Sequence, residues 1–331
     1  VEGLIINKFR GDKTILDPGI EMLYEKCRIP IVGVIPYVHV DVDDEDSLAP
    51  RLRQKTHHKP IDIAVIRLPR ISNFTDFSPL EAHPALGVRY VRNTGELGTP
   101  DLIIVPGTKS TMDDLVWLRE SGLEAMVLKQ HAGGTPVIGV CGGYQMLGEY
   151  LDNPEHTEGN LDALRGMGLL PTRTVFTGEK TRTNLKADVT GGAMKGAKIE
   201  GYEIHMGQTT VNGEYFCLME NGQKEGCVVM ERADQLEDGI AMGSGNRTDS
   251  ADMRTPNMVA GTYLHGLFDT GELTVKLAEY LAERKGISLD GLEAMPHEDY
   301  VQKQYDILAD AVRASMDIDR LYEIMDAYQN K

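Results

Sequence analysis

The chain has 331 residues, 41% hydrophobic and 26% charged, the proportions of a water-soluble globular protein with room for more than one core. A formal net charge of -17 argues against nucleic acid or an anionic membrane surface as partner, and the apolar runs are strand-sized, too short to cross a bilayer. Four cysteines, at 27, 141, 217 and 227, form no CxxC pair and keep no regular spacing with histidine, which argues against a zinc site or a disulfide framework and makes a reducing cytoplasm the simplest compartment.

In chain order, residues 3–8 read as a buried strand, 15–28 as a helix and 30–36 as a second buried strand, the β-α-β rhythm of parallel pairing. The opening carries neither a basic leader nor a signal-peptide core, and two strands alone suggest the tail end of a domain. The acidic run 41–46 reads as a solvated loop and the polar, basic 51–59 as a linker. A new alternation begins with a strand at 60–66. Strands follow at 88–91 and 102–105, then helices at 113–120 and 123–131 separated by Gly122, then a strand at 135–140. A helix is expected over 144–151. From 174 to 231 the pattern changes to short β-rich pieces with glycine turns, an antiparallel extension of the sheet. A final strand, 257–264, delivers His265; helices are expected at 272–284, 298–316 and 318–327, the last two as a cap or a partner-facing tail. The expected boundaries are 1–58, 59–275 and a helical tail from 276 to 331.

The chemistry centres on Gly139-Val140-Cys141-Gly142-Gly143-Tyr144-Gln145. A buried strand that ends at a cysteine, with glycines two positions either side and a helix following, has the build of a nucleophile elbow, and the helix start favours thiolate over thiol. A thiolate that attacks an amide needs a proton partner. His265, at the end of another strand, reaches the same sheet edge and is the candidate general base and acid. Gly142, with Gly107 and Thr108 after the 102–105 strand, can supply N–H donors for an oxyanion.

These segments resemble class I glutamine amidotransferases: a glycine two residues after the cysteine and a glutamine, Gln145, four after it. Leu68-Pro69-Arg70-Ile71-Ser72-Asn73-Phe74-Thr75-Asp76-Phe77-Ser78-Pro79-Leu80, Pro106-Gly107-Thr108-Lys109-Ser110-Thr111, Gly201-Tyr202-Glu203-Ile204-His205-Met206-Gly207 and Gly261-Thr262-Tyr263-Leu264-His265-Gly266 narrow the likeness to the cobyric acid synthase branch. The resemblance implies an α/β fold with a mixed, mostly parallel sheet flanked by helices. Preceding it would be the C-terminal remnant of a P-loop-type synthetase domain, in which Asn7-Lys8 is similar to a base-contacting strand end. It implies glutamine as substrate, with Gln145, Glu203 and His205 near it; His205 reads equally as a polar residue on a buried strand. It further implies a corrinoid acceptor, adenosylcobyrinic acid a,c-diamide, and ATP with Mg2+ for the complete enzyme. The glutaminase step itself calls for no cofactor or metal.

Two departures qualify the resemblance. No G-x-x-x-x-G-K-[ST] phosphate loop occurs, so the rest of the synthetase is expected in cis or on another chain. Gly266 and Leu267 follow His265 where most of the class has Pro and Glu; Glu203 and Asp269 are candidates for the third member, beside a water or a backbone carbonyl. Arg67, Arg70, Lys109, Arg173, Lys180 and Arg182 are candidates for a basic patch facing a multi-carboxylate acceptor, with solvated surface charge as the default reading of each. A cysteine hydrolase of the same fold and a non-catalytic binding module are the alternative readings.

Overall fold

A computed structural model describes residues 1–38, 40, 59–231, 255–292 and 297–329. The acidic run at 41–46 and all but the last residue of the expected linker lie outside the described residues. The chain divides into two compact units, Val1–Asp43 with Glu298–Lys331, and Asp44–His297.

In the first unit, β1 (Leu4–Phe9) and β2 (Ile31–Pro36) pair in parallel through α1 (Lys13–Cys27), whose N-cap Asp12 accepts from Thr14 N–H. The two helices after residue 296, α2 (His297–Ser315) and α3 (Ile318–Gln329), belong to this unit: Gly33 bridges Met316, and Asp317 N–H donates to Val32 O at 2.8 Å.

The second unit is built on a six-stranded sheet. Its strands are β3 (Ile61–Ile66), β4 (Leu86–Val91), β5 (Leu102–Val105), β6 (Val137–Val140), β13 (Cys227–Glu231) and β14 (Asn257–Thr262), in the order β13-β14-β6-β5-β3-β4. All pairs are parallel except β13 with β14. Both faces are covered, which is why these strands read as continuous apolar runs. Ile104 and Ile138 pack on one side with the helix Glu272–Lys285; Ile103, Val105 and Val137 pack on the other with the helices Thr111–Glu120 and Leu123–Ala132.

The expected antiparallel extension is realised in part. β13 extends the main sheet, but most of the segment forms a second, seven-stranded sheet: β7 (Tyr150–Asp152), β8 (Ala163–Arg165), β9 (Thr172–Val189), β10 (Lys198–Val211), β11 (Cys217–Met219), β12 (Lys224–Glu225) and β15 (Leu264–His265). The helix expected over 144–151 stops at Leu147; its last residues instead enter β7, where Tyr150 pairs with Arg173 and Leu151 with Thr174 of β9. The strand expected at 257–264 also divides: after Thr262 the chain leaves β14, turns at Tyr263 and joins β10 as β15, Leu264 opposite Glu203 and His265 opposite Tyr202.

Candidate active site

Cys141 lies between β6 and the helix Gly142–Leu147 with φ 52° and ψ -111°, a left-handed backbone rare for a residue with a side chain. Such a conformation costs on the order of 1–3 kcal/mol and persists only where the surroundings enforce it. Here the enforcement is close packing. A Cβ on Gly139 would lie 2.8 Å from the Gly143 carbonyl carbon, and one on Gly143 would lie 1.9 Å from Val105 O, so only glycine at both positions lets helix and strands meet. The elbow is tied to the neighbouring strand by Cys141 N–H donating to Thr262 O at 2.8 Å.

That tie brings the two sequence-predicted residues together. His265 is fully buried, and the Cys141 sulfur is one of the two groups that favour its protonated imidazole; Sγ itself lies 3.6 Å from Ile204 O. The histidine belongs to the second sheet, however, so the expectation that both sit on strand ends of one sheet holds only as far as β14. Gly201 permits this approach, since a Cβ there would fall 2.1 Å from His265 O.

The carboxylate on His265 is Asp76. Its Oδ2 is 2.7 Å from Nδ1, and its Oδ1 accepts Gly266 N–H at 3.0 Å. Neither Glu203 nor Asp269 takes that place: Glu203 faces His205 at 3.6 Å, and Asp269 closes the Gly266 turn and faces Tyr202. Asp76 comes from a single 3-10 turn, Phe74–Phe77, inside the motif read from sequence but given no role there. Its signal was a lone acidic residue between two phenylalanines, an odd thing to bury without a charged partner. Burial alone would push the imidazole down, but Asp76 and then the Cys141 sulfur overcome it and raise His265 to about 10. The imidazolium is therefore the form favoured at neutral pH.

Gly107, Thr108 and Gly142 also converge. A Cβ on Gly142 would lie 2.8 Å from Thr108 Cγ2 and 3.3 Å from Thr108 N, and one on Gly107 would lie 3.5 Å from His265 Cε1. The loop is held from outside by Asp114, fully buried, which accepts from Thr108 Oγ1 at 2.5 Å, Arg70 N–H at 3.1 Å and Arg70 Nη1 at 2.9 Å. Ser72 N–H donates to Gly107 O at 2.9 Å, stitching the Asp76 loop to the same strand end.

Gln145 is nearly fully buried and its amide is engaged within the protein: Oε1 accepts from Thr111 Oγ1 at 2.9 Å, and Nε2 donates to Met206 O at 2.9 Å and Tyr263 Oη at 3.0 Å. The β9–β10 register shifts between Met206 and Gln208, around Gly207 at φ 96°, with the extra residues in β9. His205 stacks on Tyr263, ring centroids 3.6 Å apart and 11° from parallel, and its Nδ1 lies 3.2 Å from Gly207 O. His205 is half-buried, on a strand with one exposed side. Of the six basic residues, Arg70 pairs with Asp113 and Asp114, and Arg173 with Asp152 at 2.6 Å, so their charge is partly spent within the protein. The Lys180 side chain lies outside the described residues. No group of three or more His, Cys, Asp or Glu able to hold a metal occurs among the described residues. No described helix is long and apolar enough to cross a membrane.

Residues 62–273 match the CobB/CobQ-like glutamine amidotransferase domain. Over nearly the whole chain there is similarity to the cobyric acid synthases of Ruminiclostridium cellulolyticum (45% identical, 98% of this chain, 61% of the relative), Lachnoclostridium phytofermentans (44%, 98%, 63%) and Salmonella typhimurium (41%, 99%, 62%). The chain thus spans about six tenths of the length of the curated relatives it matches. On the family match, which covers well over half of its residues, the chain belongs to the CobB/CobQ-like glutamine amidotransferases.

Proposed function

We propose that this chain carries the glutaminase half of a cobyric acid synthase, releasing ammonia from glutamine. The observation that carries the reading is the left-handed Cys141 beside a buried His265 whose Nδ1 is held by Asp76. The Cys141 thiolate attacks the side-chain amide carbon of glutamine, and the Gly142 and Gly107-Thr108 N–H groups receive the oxyanion. His265 Nε2–H protonates the departing nitrogen, which leaves as ammonia, and a glutamyl thioester remains on Sγ. The now neutral imidazole takes a proton from water, hydroxide adds to the thioester, and glutamate departs as the thiolate re-forms. Asp76 keeps Nδ1 protonated throughout, so Nε2 is the nitrogen that exchanges protons. Gln145 shapes the site through its bonds to Thr111, Met206 and Tyr263, and Glu203 and His205 back the wall next to it.

The acceptor in this reading is a corrinoid, adenosylcobyrinic acid a,c-diamide, whose peripheral carboxylates become amides in cobalamin synthesis. The likeness to cobyric acid synthases supports it. Activating those carboxylates with ATP and Mg2+ falls to a synthetase portion in cis or trans. The first unit fits as its edge: α1 buries none of its residues and leaves Ile15, Met22, Leu23 and Tyr24 exposed.

Glutamate release from glutamine tests the reading. Wild type should turn over and Cys141→Ala should fall to background; equal rates would sink the assignment. Turnover of peptide substrates instead would favour a cysteine hydrolase, and a chain inert to both would be a binding module.

A further inference from the structure

Asp76 is not the only residue of its turn that touches His265. Asn73, which caps the turn and receives Asp76 N–H on its carbonyl at 3.1 Å, places Nδ2 3.0 Å from His265 Nε2 and 3.1 Å from Nδ1. A donor in the ring plane, equidistant from both nitrogens, would have to sit on the line through Cε1 and collide with that carbon. The Cε1 edge is moreover lined by the Gly107 backbone. The amide therefore lies over the face of the imidazole. Its backbone is held at φ 51° and ψ 35°, a left-handed conformation that asparagine tolerates better than most residues but which still has a cost. In this conformation the side chain reaches the ring.

An N–H over a π face is favourable for a neutral imidazole and unfavourable for an imidazolium. Asn73 thus opposes Asp76. We propose that Asn73 is a positioning residue for His265, its amide over the ring face offsetting the Asp76 carboxylate so that the imidazole can give up and regain its proton within each turnover. The inference rests on the glutaminase reading for its purpose, but not for its geometry. Without such a counterweight, a histidine held by a buried carboxylate and a thiolate stays protonated and serves poorly as the base for thioester hydrolysis. The charged or titratable groups facing the ring are Asp76 from its own turn, Cys141 from the elbow and Tyr202 from β10, with Asp269 beyond Tyr202.

The test is a titration of His265 by NMR in 15N-histidine-labelled protein carrying Cys141→Ala, which removes the thiolate, with a His265→Gln spectrum to identify the signal. Asn73→Gly keeps the left-handed backbone and removes the amide; Asn73→Asp keeps the shape and replaces the donor with a carboxylate. The midpoint should rise by roughly half to one pH unit in Asn73→Gly and further in Asn73→Asp. In the chain with Cys141 intact, Asn73→Gly should lower kcat about tenfold and leave KM for glutamine within about twofold. A midpoint that stays put or falls in Asn73→Gly overturns the proposal, since a residue that only shapes the loop would not move it. Should Asn73→Gly not fold, the Asn73→Asp midpoint decides alone, and anything but a rise overturns it. A raised midpoint in a chain without glutaminase activity would leave this assignment standing and remove the reading above; activity with no shift would do the reverse.

Discussion

A histidine raised to about 10 sets a clear expectation for Asp76. Replacing it with asparagine keeps the shape but removes the charge that favours the imidazolium and the acceptor that fixes which nitrogen carries the proton. Asp76→Asn should lower kcat for glutamine hydrolysis by about 100-fold or more with a smaller effect on KM, measured by glutamate release. The His265 midpoint should fall, opposite in sign to the Asn73 variants. The cysteine and histidine were legible in the sequence because an elbow is a local pattern and a strand-end histidine is its usual complement. Asp76 was not, because 189 residues separate it from His265 and only the folded sheet shows which carboxylate arrives.

Among the elements, the turn between β14 and β15 depends on one buried group. Glu225 on β12 accepts Thr262 Oγ1 at 2.6 Å and Tyr263 N–H at 2.7 Å, with the Cys217 thiol at 3.5 Å. Burial pushes its carboxyl up to about 7, partly offset by these donors. The sign follows from linkage: a carboxyl raised above its unfolded value binds more protons in the folded state, so stability declines as pH rises from about 4.5 through 7. The loss is on the order of 3 kcal/mol at most. Glu225→Gln should flatten that part of the stability curve, measured by urea midpoints between pH 4.5 and 8; an unchanged slope would show that Glu225 does not titrate there. The switch of sheets at Tyr263 was invisible in the sequence because 257–264 has uninterrupted strand character, and the change of partner is imposed by Glu225 and by the pairing of Leu264 with Glu203. The main parallel sheet, buried on both faces, was legible strand by strand. The second sheet was not, since its long strands expose one side and are broken by glycines.

At the scale of the whole molecule, the proposed reading has ammonia made at Cys141, which has value only when it reaches an activated carboxylate. In the proposed complete enzyme, Cys141→Ala should lose glutamine-dependent corrinoid amidation yet recover it with free ammonium salts, followed by product mass. Failure of rescue would mean that Cys141 does more than generate ammonia. A net charge of -17 disfavours the proposed multi-carboxylate acceptor unless a local basic patch overrides it, and the pairing of Arg70 and Arg173 with acidic neighbours shows that nearby arginines also serve the fold itself. The helices after residue 296 pack with β2 although the sequence placed them in a separate tail, because Gly33 leaves room for Met316 and that contact is 283 residues long in sequence.

The division of labour between the two sheets has a further consequence. The thiol is fixed to the main sheet and the imidazole to the second one, joined at this point by the single residue Tyr263. The pair therefore works as a caliper: sliding one sheet against the other alters the sulfur-to-nitrogen gap directly, while rigid movement of both together leaves it unchanged. In the proposed glutaminase, where a displacement of about 1 Å can cost a catalytic constellation 100-fold, a small shear between the sheets would be enough to idle the site without unfolding any part of it.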